Sequence, residues 1–218
     1  MNKISIAIDG PAGAGKSTIA RIVAHKLNFL YVDTGAMYRA VTYSIIQNKI
    51  DMNDMDEIQE LLNKINIKIT DSKVYLNNLD VTKEIRSQEV NKFVSPVSTI
   101  PIVRQILINL QRDMVLINSV VMDGRDIGTN VLKNANIKIF LTASVDERAQ
   151  RRYLEILNNG QSVSYESVKN DIVRRDKIDS ERELNPLKKA DDAIIVDTTS
   201  KSIKVVVEEI LNIIKREV

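Results

Sequence analysis

Apolar positions along the chain follow two alternating rhythms. Short runs rich in β-branched residues occur at Ile4–Ile8, Phe29–Val32, Val120–Met122, Ile137–Leu141 and Ala193–Val196. Runs that are apolar throughout predict strands buried on both faces. Between them apolar residues recur at helical spacing, as at Ile19, Ile22, Val23 and Leu27 within Ser17–Leu27. Further helices are predicted over Met37–Gln47, Val145–Leu157, Tyr165–Asp179 and Ile203–Ile214. Five buried strands alternating with helices predict an α/β fold with a five-stranded parallel sheet flanked by helices.

The stretch from Ile50 to about Arg86 has another character. Ile65, Ile67 and Ile69 alternate with polar residues, and Val74–Leu76 and Leu79–Val81 follow after turn signals at Asp71-Ser72-Lys73 and Asn77-Asn78. That pattern predicts a small antiparallel meander inserted into the βαβ series. Ser87–Asn118 reads as helical, interrupted at Pro96 and Pro101, and Asn158-Asn159-Gly160 reads as the turn joining two helices.

Composition narrows the field. Hydrophobic residues make up 44% of 218, enough for a real core. Lys and Arg total 31 against 29 for Asp and Glu, so the net charge of +2 makes no case for nucleic-acid binding. The absence of cysteine excludes disulfides and thiolate metal sites. The run Ile4–Ile8 is too short for a signal sequence, and no apolar stretch approaches the roughly 20 residues that span a bilayer. The expectation is a soluble cytoplasmic protein.

The strongest chemical signal is Gly10-Pro11-Ala12-Gly13-Ala14-Gly15-Lys16-Ser17, followed by Thr18. It matches the phosphate-binding loop G-x-x-x-x-G-K-[ST], between a predicted buried strand and a predicted helix. Small residues let the backbone wrap a polyphosphate, and the helix N-terminus favours the anion. Lys16 is placed to reach the β- and γ-phosphates, and the Ser17 hydroxyl to ligate Mg²⁺. Asp123, ending an apolar strand, is a candidate to hold Mg²⁺ through water. A turn-capping aspartate gives the same pattern.

Phosphoryl transfer requires distributed positive charge, and the chain is rich in grouped arginines. Arg148, Arg151 and Arg152 share one face of a predicted helix. Arg175, Asp179 and Arg182 fall at i, i+4 and i+7, which suits either a ligand site or a solvated ion-pair ladder. Arg39 follows Asp33-Thr34-Gly35, and Arg125 and Asp126 follow a strand end, where open α/β sheets bind ligands. Arg104 lies among Ile102, Val103, Ile106 and Leu107, either snorkelling to solvent or reaching a pocket. The single histidine, His25, reads as a surface residue, and Phe29 and Tyr31 as core.

Three stretches carry a resemblance: Ile8–Thr18, Asp33–Arg39 and Asp123–Thr129. Together with Glu84-Ile85-Arg86, Ser95–Arg104 and Arg174–Leu187, they resemble the bacterial cytidylate kinases over nearly the whole chain. The resemblance implies an ATP-dependent nucleoside monophosphate kinase acting on CMP or dCMP with Mg²⁺, monomeric, without nucleic-acid or membrane partners. It implies one P-loop kinase domain, with a core of residues 1–49, 87–144 and 183–218, a monophosphate-binding insert at about 50–86 and a lid at about 145–182.

Roles follow from the same resemblance. Thr34 and Arg39 would meet the acceptor phosphate, Ser95 and Asp126 the cytosine, and Arg104 and Arg125 the α-phosphate or base. Arg175 and Asp179 would hold the ribose, Arg182 the phosphates, and Arg148 and Arg152 would close with the lid over ATP. A glycine common in that family's insert turn is Asn78 here, a residue that tolerates positive φ. Two alternatives remain at this point. One is another small-molecule kinase with the same loop. The other is a nucleotide-dependent switch, which should show a base-reading N-K-x-D motif; Asn63-Lys64-Ile65-Asn66 and Asn91-Lys92-Phe93-Val94 both lack the aspartate.

Overall fold

The computed structural model describes residues 3–70, 73–158 and 160–217. The turns expected at Asp71-Ser72 and at Asn159 therefore lie outside the described residues. The chain begins β1 (Ser5–Asp9), α1 (Lys16–Leu27), β2 (Leu30–Asp33) and α2 (Thr34–Gln47). It continues through α3 (Met55–Lys64), β3 (Ile67–Ile69), β4 (Val74–Leu76), β5 (Leu79–Asp80), α4 (Gln88–Val97) and α5 (Pro101–Ile117). It ends with β6 (Val120–Gly124), β7 (Ile137–Thr142), α6 (Val145–Asn158), α7 (Tyr165–Glu181), β8 (Ile194–Asp197) and α8 (Ile203–Glu217).

The five long-range strands form one parallel sheet in the order β2-β6-β1-β7-β8. The connection from β1 runs to β2 on one side and that from β6 passes β1 to β7 on the other, so a crevice opens beyond the carboxyl ends of these strands. The register fixes what faces that crevice: Asp9 lies beside Gly124, and Asp33 beside Asp123. One face of the sheet packs Ile8, Val121, Ile139 and Leu141 against Ile19 and Val23 of α1 and Val207 and Ile210 of α8. The other packs Ala7, Val32, Val120 and Met122 against Ile108 and Ile127. A fully buried side chain of this size contributes roughly 1.5–3 kcal/mol by transfer from water.

The meander β3-β4-β5 is antiparallel and covers α2, with Val74, Val81 and Ile85 packed on Ala36 and Ala40. Asn77 and Asn78 both take positive φ, 49° and 67°, which makes their turn possible without glycine.

Several elements differ from the sequence expectation. Helix α2 begins at Thr34 and not Met37, because the Asp33 carboxylate caps it by accepting the Ala36 amide at 2.8 Å. Helix α3 was not anticipated within the insert. Asp54 caps it through the Glu57 amide, and Ile58, Leu61 and Leu62 are buried. Pro96 lies inside α4 without ending it, and the break falls before Pro101, the first residue of α5. The two helices meet at a bend of 96°. Strand β8 is the sheet edge, so Ile194 and Ile195 are exposed despite their apolar run. Among the described residues no single helix is long and apolar enough to cross a membrane.

Candidate active site

The phosphate loop leaves β1 at Gly10, where an added Cβ would sit 2.0 Å from the Leu141 carbonyl oxygen of β7. Only glycine passes between these backbones. Gly13 and Gly15 take positive φ, 76° and 88°, and Gly15 caps α1. The described hydrogen bonds give no acceptor for the amides of Gly13, Gly15, Lys16, Ser17 and Thr18. These donors open on the cleft, as a helix N-terminus requires of an anion site. The Lys16 ammonium is buried and donates to the Pro11 carbonyl at 2.7 Å across the loop. Burial, and then the Arg125 guanidinium, push it well below the usual lysine range, against Asp123, Asp179 and Asp9.

The ends of β1, β2 and β6 bring three carboxylates to the crevice floor. Asp9 accepts the Ile127 and Gly128 amides at 2.8 Å each, which fixes the turn after β6. Burial raises its carboxyl to about 6, against those two bonds. Asp123 accepts from the Ser17 hydroxyl and from the Tyr31 hydroxyl, both at 2.9 Å. Burial and the neighbouring Asp33 raise the Asp123 carboxyl to about 6, while Lys16 opposes them. Tyr31 belongs to the core as expected, but its hydroxyl reaches the site, a contact that the sequence reading missed. The Thr34 hydroxyl donates to the Asp123 carbonyl at 2.6 Å.

The residues present fit Mg²⁺. Ser17 Oγ and an Asp123 oxygen are hard donors 2.9 Å apart, and a hydroxyl donating to the carboxylate keeps its lone pairs for a cation. Among the described residues no cluster of three His, Cys, Asp or Glu side chains could hold a metal. Such a sparse set suits an ion that keeps waters and substrate phosphate oxygens around it.

From this floor a cleft of about 550 Å³ runs toward α4, α5 and the end of α7. Its far wall carries Thr34, Tyr38, Arg39, Arg86, Ser95, Ser98, Arg125, Asp126, Arg175, Asp179 and Arg182. Arg104 is buried and does not snorkel; its Nη2 pairs with Asp126 at 2.6 Å and its Nη1 donates to the Ser98 carbonyl. The other Asp126 oxygen pairs with Arg182 at 2.7 Å, making a buried Arg–Asp–Arg bridge. Asp179 pairs with Arg125 at 2.8 Å.

The ladder alternative for Arg175, Asp179 and Arg182 fails on this geometry. Helix α7 ends at Glu181, Arg182 is extended, and both charged partners come from the strand-end loop. Arg39 and Arg175 have no ion-pair partner among the described residues, and Arg175 Nε is buried without an acceptor. Burial, and then Arg175, lower the Arg39 guanidinium to about 10. Cations gathered without counter-charges form an anion receptor. Arg86, Tyr38 and Ser98 line it without having been singled out for it. Arg86 is half exposed and lies 3.6 Å from Asp33; the Glu84-Ile85-Arg86 stretch shares in the resemblance but carries no assigned role.

The arginines that the resemblance assigns to a lid divide. Arg148 does not line the cleft: it is buried and donates to the carbonyls of Ala12 and Ala143 and to Asp176. Arg151, not assigned a role from the sequence, lines the cleft and donates to Thr198. Arg152 lines the cleft but pairs with Glu155 at 2.8 Å, three residues onward on the same helix. The near wall is completed by Thr198, Lys201, Ile203 and Val206, which no motif identified. His25 is exposed.

A parallel sheet ordered in this way, a phosphate loop on its central strand and a cation-lined cleft beyond it define a P-loop kinase. The cytidylate kinase family model matches residues 6–216, and the chain belongs to that family. It is similar to cytidylate kinase of Alkaliphilus oremlandii, 54% identical over 215 residues and 99% of each chain. It is also similar to that of Bacillus subtilis, 49% identical over 219 residues, covering 99% of this chain and 98% of the other. Among solved structures, an uncharacterized protein from Eubacterium ventriosum matches with TM-score 0.56 at 16% identity over 99% of each chain. Shikimate kinase from Acinetobacter baumannii, in complex with shikimate, matches with TM-score 0.50 at 15% identity over 99% of this chain and 94% of the other. Those two likenesses concern the fold alone.

Proposed function

We propose that this chain transfers the γ-phosphate of ATP to CMP or dCMP, giving ADP and CDP or dCDP, with Mg²⁺ accompanying ATP. The observation that carries this reading is the single cleft joining the phosphate loop to an anion receptor built on Arg39 and Arg175. ATP occupies the loop end and the monophosphate the receptor. An acceptor phosphate oxygen attacks the γ-phosphorus, the bond from γ-phosphorus to the bridging oxygen breaks, and its electron pair leaves with ADP. Mg²⁺, when bound, neutralises phosphate charge.

The chain's own part is positioning and charge. Lys16 and the loop amides follow the negative charge as it moves toward the bridging oxygen. Arg39 and Arg175 hold the acceptor phosphate and offset its repulsion for ATP, a role for Arg175 other than the ribose contact that the resemblance implies. The Asp126 bridge to Arg104 and Arg182 keeps donors and acceptors fixed beside Ser95, where a cytosine edge is read. Asp179 accepts from ribose hydroxyls. Segment 145–182 acts as the lid, and its closure excludes water that would otherwise take the phosphoryl group.

The test is a coupled ADP-release assay across the common nucleoside monophosphates. CMP and dCMP should be used well and AMP and GMP poorly. AMP turnover equal to CMP turnover would overturn the acceptor assignment.

A further inference from the structure

The lid helices are tied to the phosphate loop at one residue, through the two peptide units that flank its Cα. The Ala12 amide donates to Asp176 Oδ1 at 3.0 Å, and the Ala12 carbonyl accepts from Arg148 Nη1 at 2.9 Å. Arg148 and Asp176 are paired with each other at 2.5 Å, and Arg148 Nε donates to the Ala143 carbonyl at 3.0 Å. Both polar groups of a single loop residue are thus held by one ion pair. The Arg148 side chain is 5% exposed and that of Asp176 21%. The next residue, Gly13, lies against the same turn of α6: an added Cβ would be 3.1 Å from both Cβ and the carbonyl oxygen of Arg148.

The loop needs such a tie. With Gly13 and Gly15 at positive φ, its backbone has many alternative conformations of similar energy. Inward-facing amides repel one another until an anion arrives, so the empty cradle is held only by what surrounds it. Charge-assisted bonds to both polar groups of Ala12 are one such restraint, beside the Lys16 bond to the Pro11 carbonyl. Neither Arg148 nor Asp176 lines the cleft, so any effect they have on the donor passes through Ala12.

We infer that Asp176, acting through Arg148, is a positioning residue that sets the Ala12 peptide and so preorganises the loop amides for the donor's phosphates. The inference rests on the reading of the loop as the ATP site, and it adds a residue to which the motif assigns no role. A preorganised cradle binds without the cost of ordering. Loss of the clamp should therefore fall on ATP and spare the acceptor.

The test measures ATP dissociation constants by calorimetry without acceptor, together with KM for ATP and for CMP. Asp176→Ala should raise the ATP constant about tenfold, or about 1.4 kcal/mol, with KM for CMP within about twofold of the wild type. Asp176→Asn keeps an acceptor for the Ala12 amide but loses the charge facing Arg148, so it should raise the constant about threefold. Hydrogen exchange at the Ala12 amide should quicken in the same order. Should Asp176→Ala not fold, Asp176→Asn decides alone. An ATP constant within twofold of wild type in every folded variant, or equal losses for ATP and CMP, overturns the clamp. A wild-type protein that binds no ATP overturns instead the reading on which it rests.

Discussion

The Asp126 bridge makes a demanding prediction because its three side chains are so deeply placed. Arg104, Asp126 and Arg182 are 2%, 7% and 3% exposed at their side chains, and the two pairs close at 2.6 and 2.7 Å. Asn130 donates to the same carboxylate at 3.1 Å. Asp126→Ala removes the carboxylate these two guanidiniums share and leaves both buried. Breaking a buried pair by deleting one partner costs about 3–5 kcal/mol, most of it the uncompensated charge left behind. Against a total stability of roughly 5–15 kcal/mol, that is a large share of the fold. Urea unfolding at neutral pH measures it, with an unchanged slope showing that the unfolded state is the same. The exposed Glu60–Lys64 pair, 67% and 68% exposed, is the control; Glu60→Ala should leave the urea midpoint essentially unchanged. A loss below about 1 kcal/mol for Asp126→Ala would mean that the bridge behaves as a surface pair, and the proposal that it holds a rigid wall for the base would lose its support.

Three further outcomes follow from the floor of the site. Lys16→Ala should lower kcat at least about a thousandfold, near 4 kcal/mol, with the fold intact by circular dichroism; near-normal turnover would remove Lys16 from the chemistry. Tyr31→Phe keeps the ring in the core but deletes the hydroxyl that donates to Asp123 at 2.9 Å, and should cost about 1–2 kcal/mol in urea unfolding; no loss would show that Asp123 does not depend on it. Asp9 gives a pH signature: with its carboxyl raised from 3.8 to about 6, the folded state holds the proton more tightly than the unfolded state. That contribution is complete below 3.8 and lost as pH rises to about 6, so wild-type stability relative to Asp9→Asn should fall across this window and level off above it. A difference that does not change with pH would contradict the burial of that charge.

What the sequence makes legible is what local spacing determines. The phosphate loop is readable because its chemistry needs small residues, a lysine and a hydroxyl within eight positions, and because strand and helix periodicities flank it. The sheet is readable because β1, β2 and β6 are buried along nearly their whole length, which leaves an apolar run. Helix α3 was equally local, with Asp54 and Glu57 marking its start and Ile58, Leu61 and Leu62 its face, but the neighbouring β pattern of the insert drew the reading toward strands.

Charge pairing is another matter, because register delivers the partners. Asp123 receives Ser17 from 106 residues away and Tyr31 from 92, and Asp9 receives the Gly128 amide from 119. The sign pattern at Arg175, Asp179 and Arg182 is the same whether a helix face is solvated or buried. What separates the cases is that α7 stops at Glu181 and the loop after β6 supplies Arg125 and Asp126. Arg148 shows the converse. On its helix it looked like a lid cation free to reach phosphate, but Asp176, 28 residues on, and the Ala12 carbonyl already hold it. An arginine face therefore names neither a ligand nor a ladder. The cleft-lining arginines left without an ion-pair partner once tertiary contacts are made, Arg39 and Arg175 among the described residues, mark where an anion belongs.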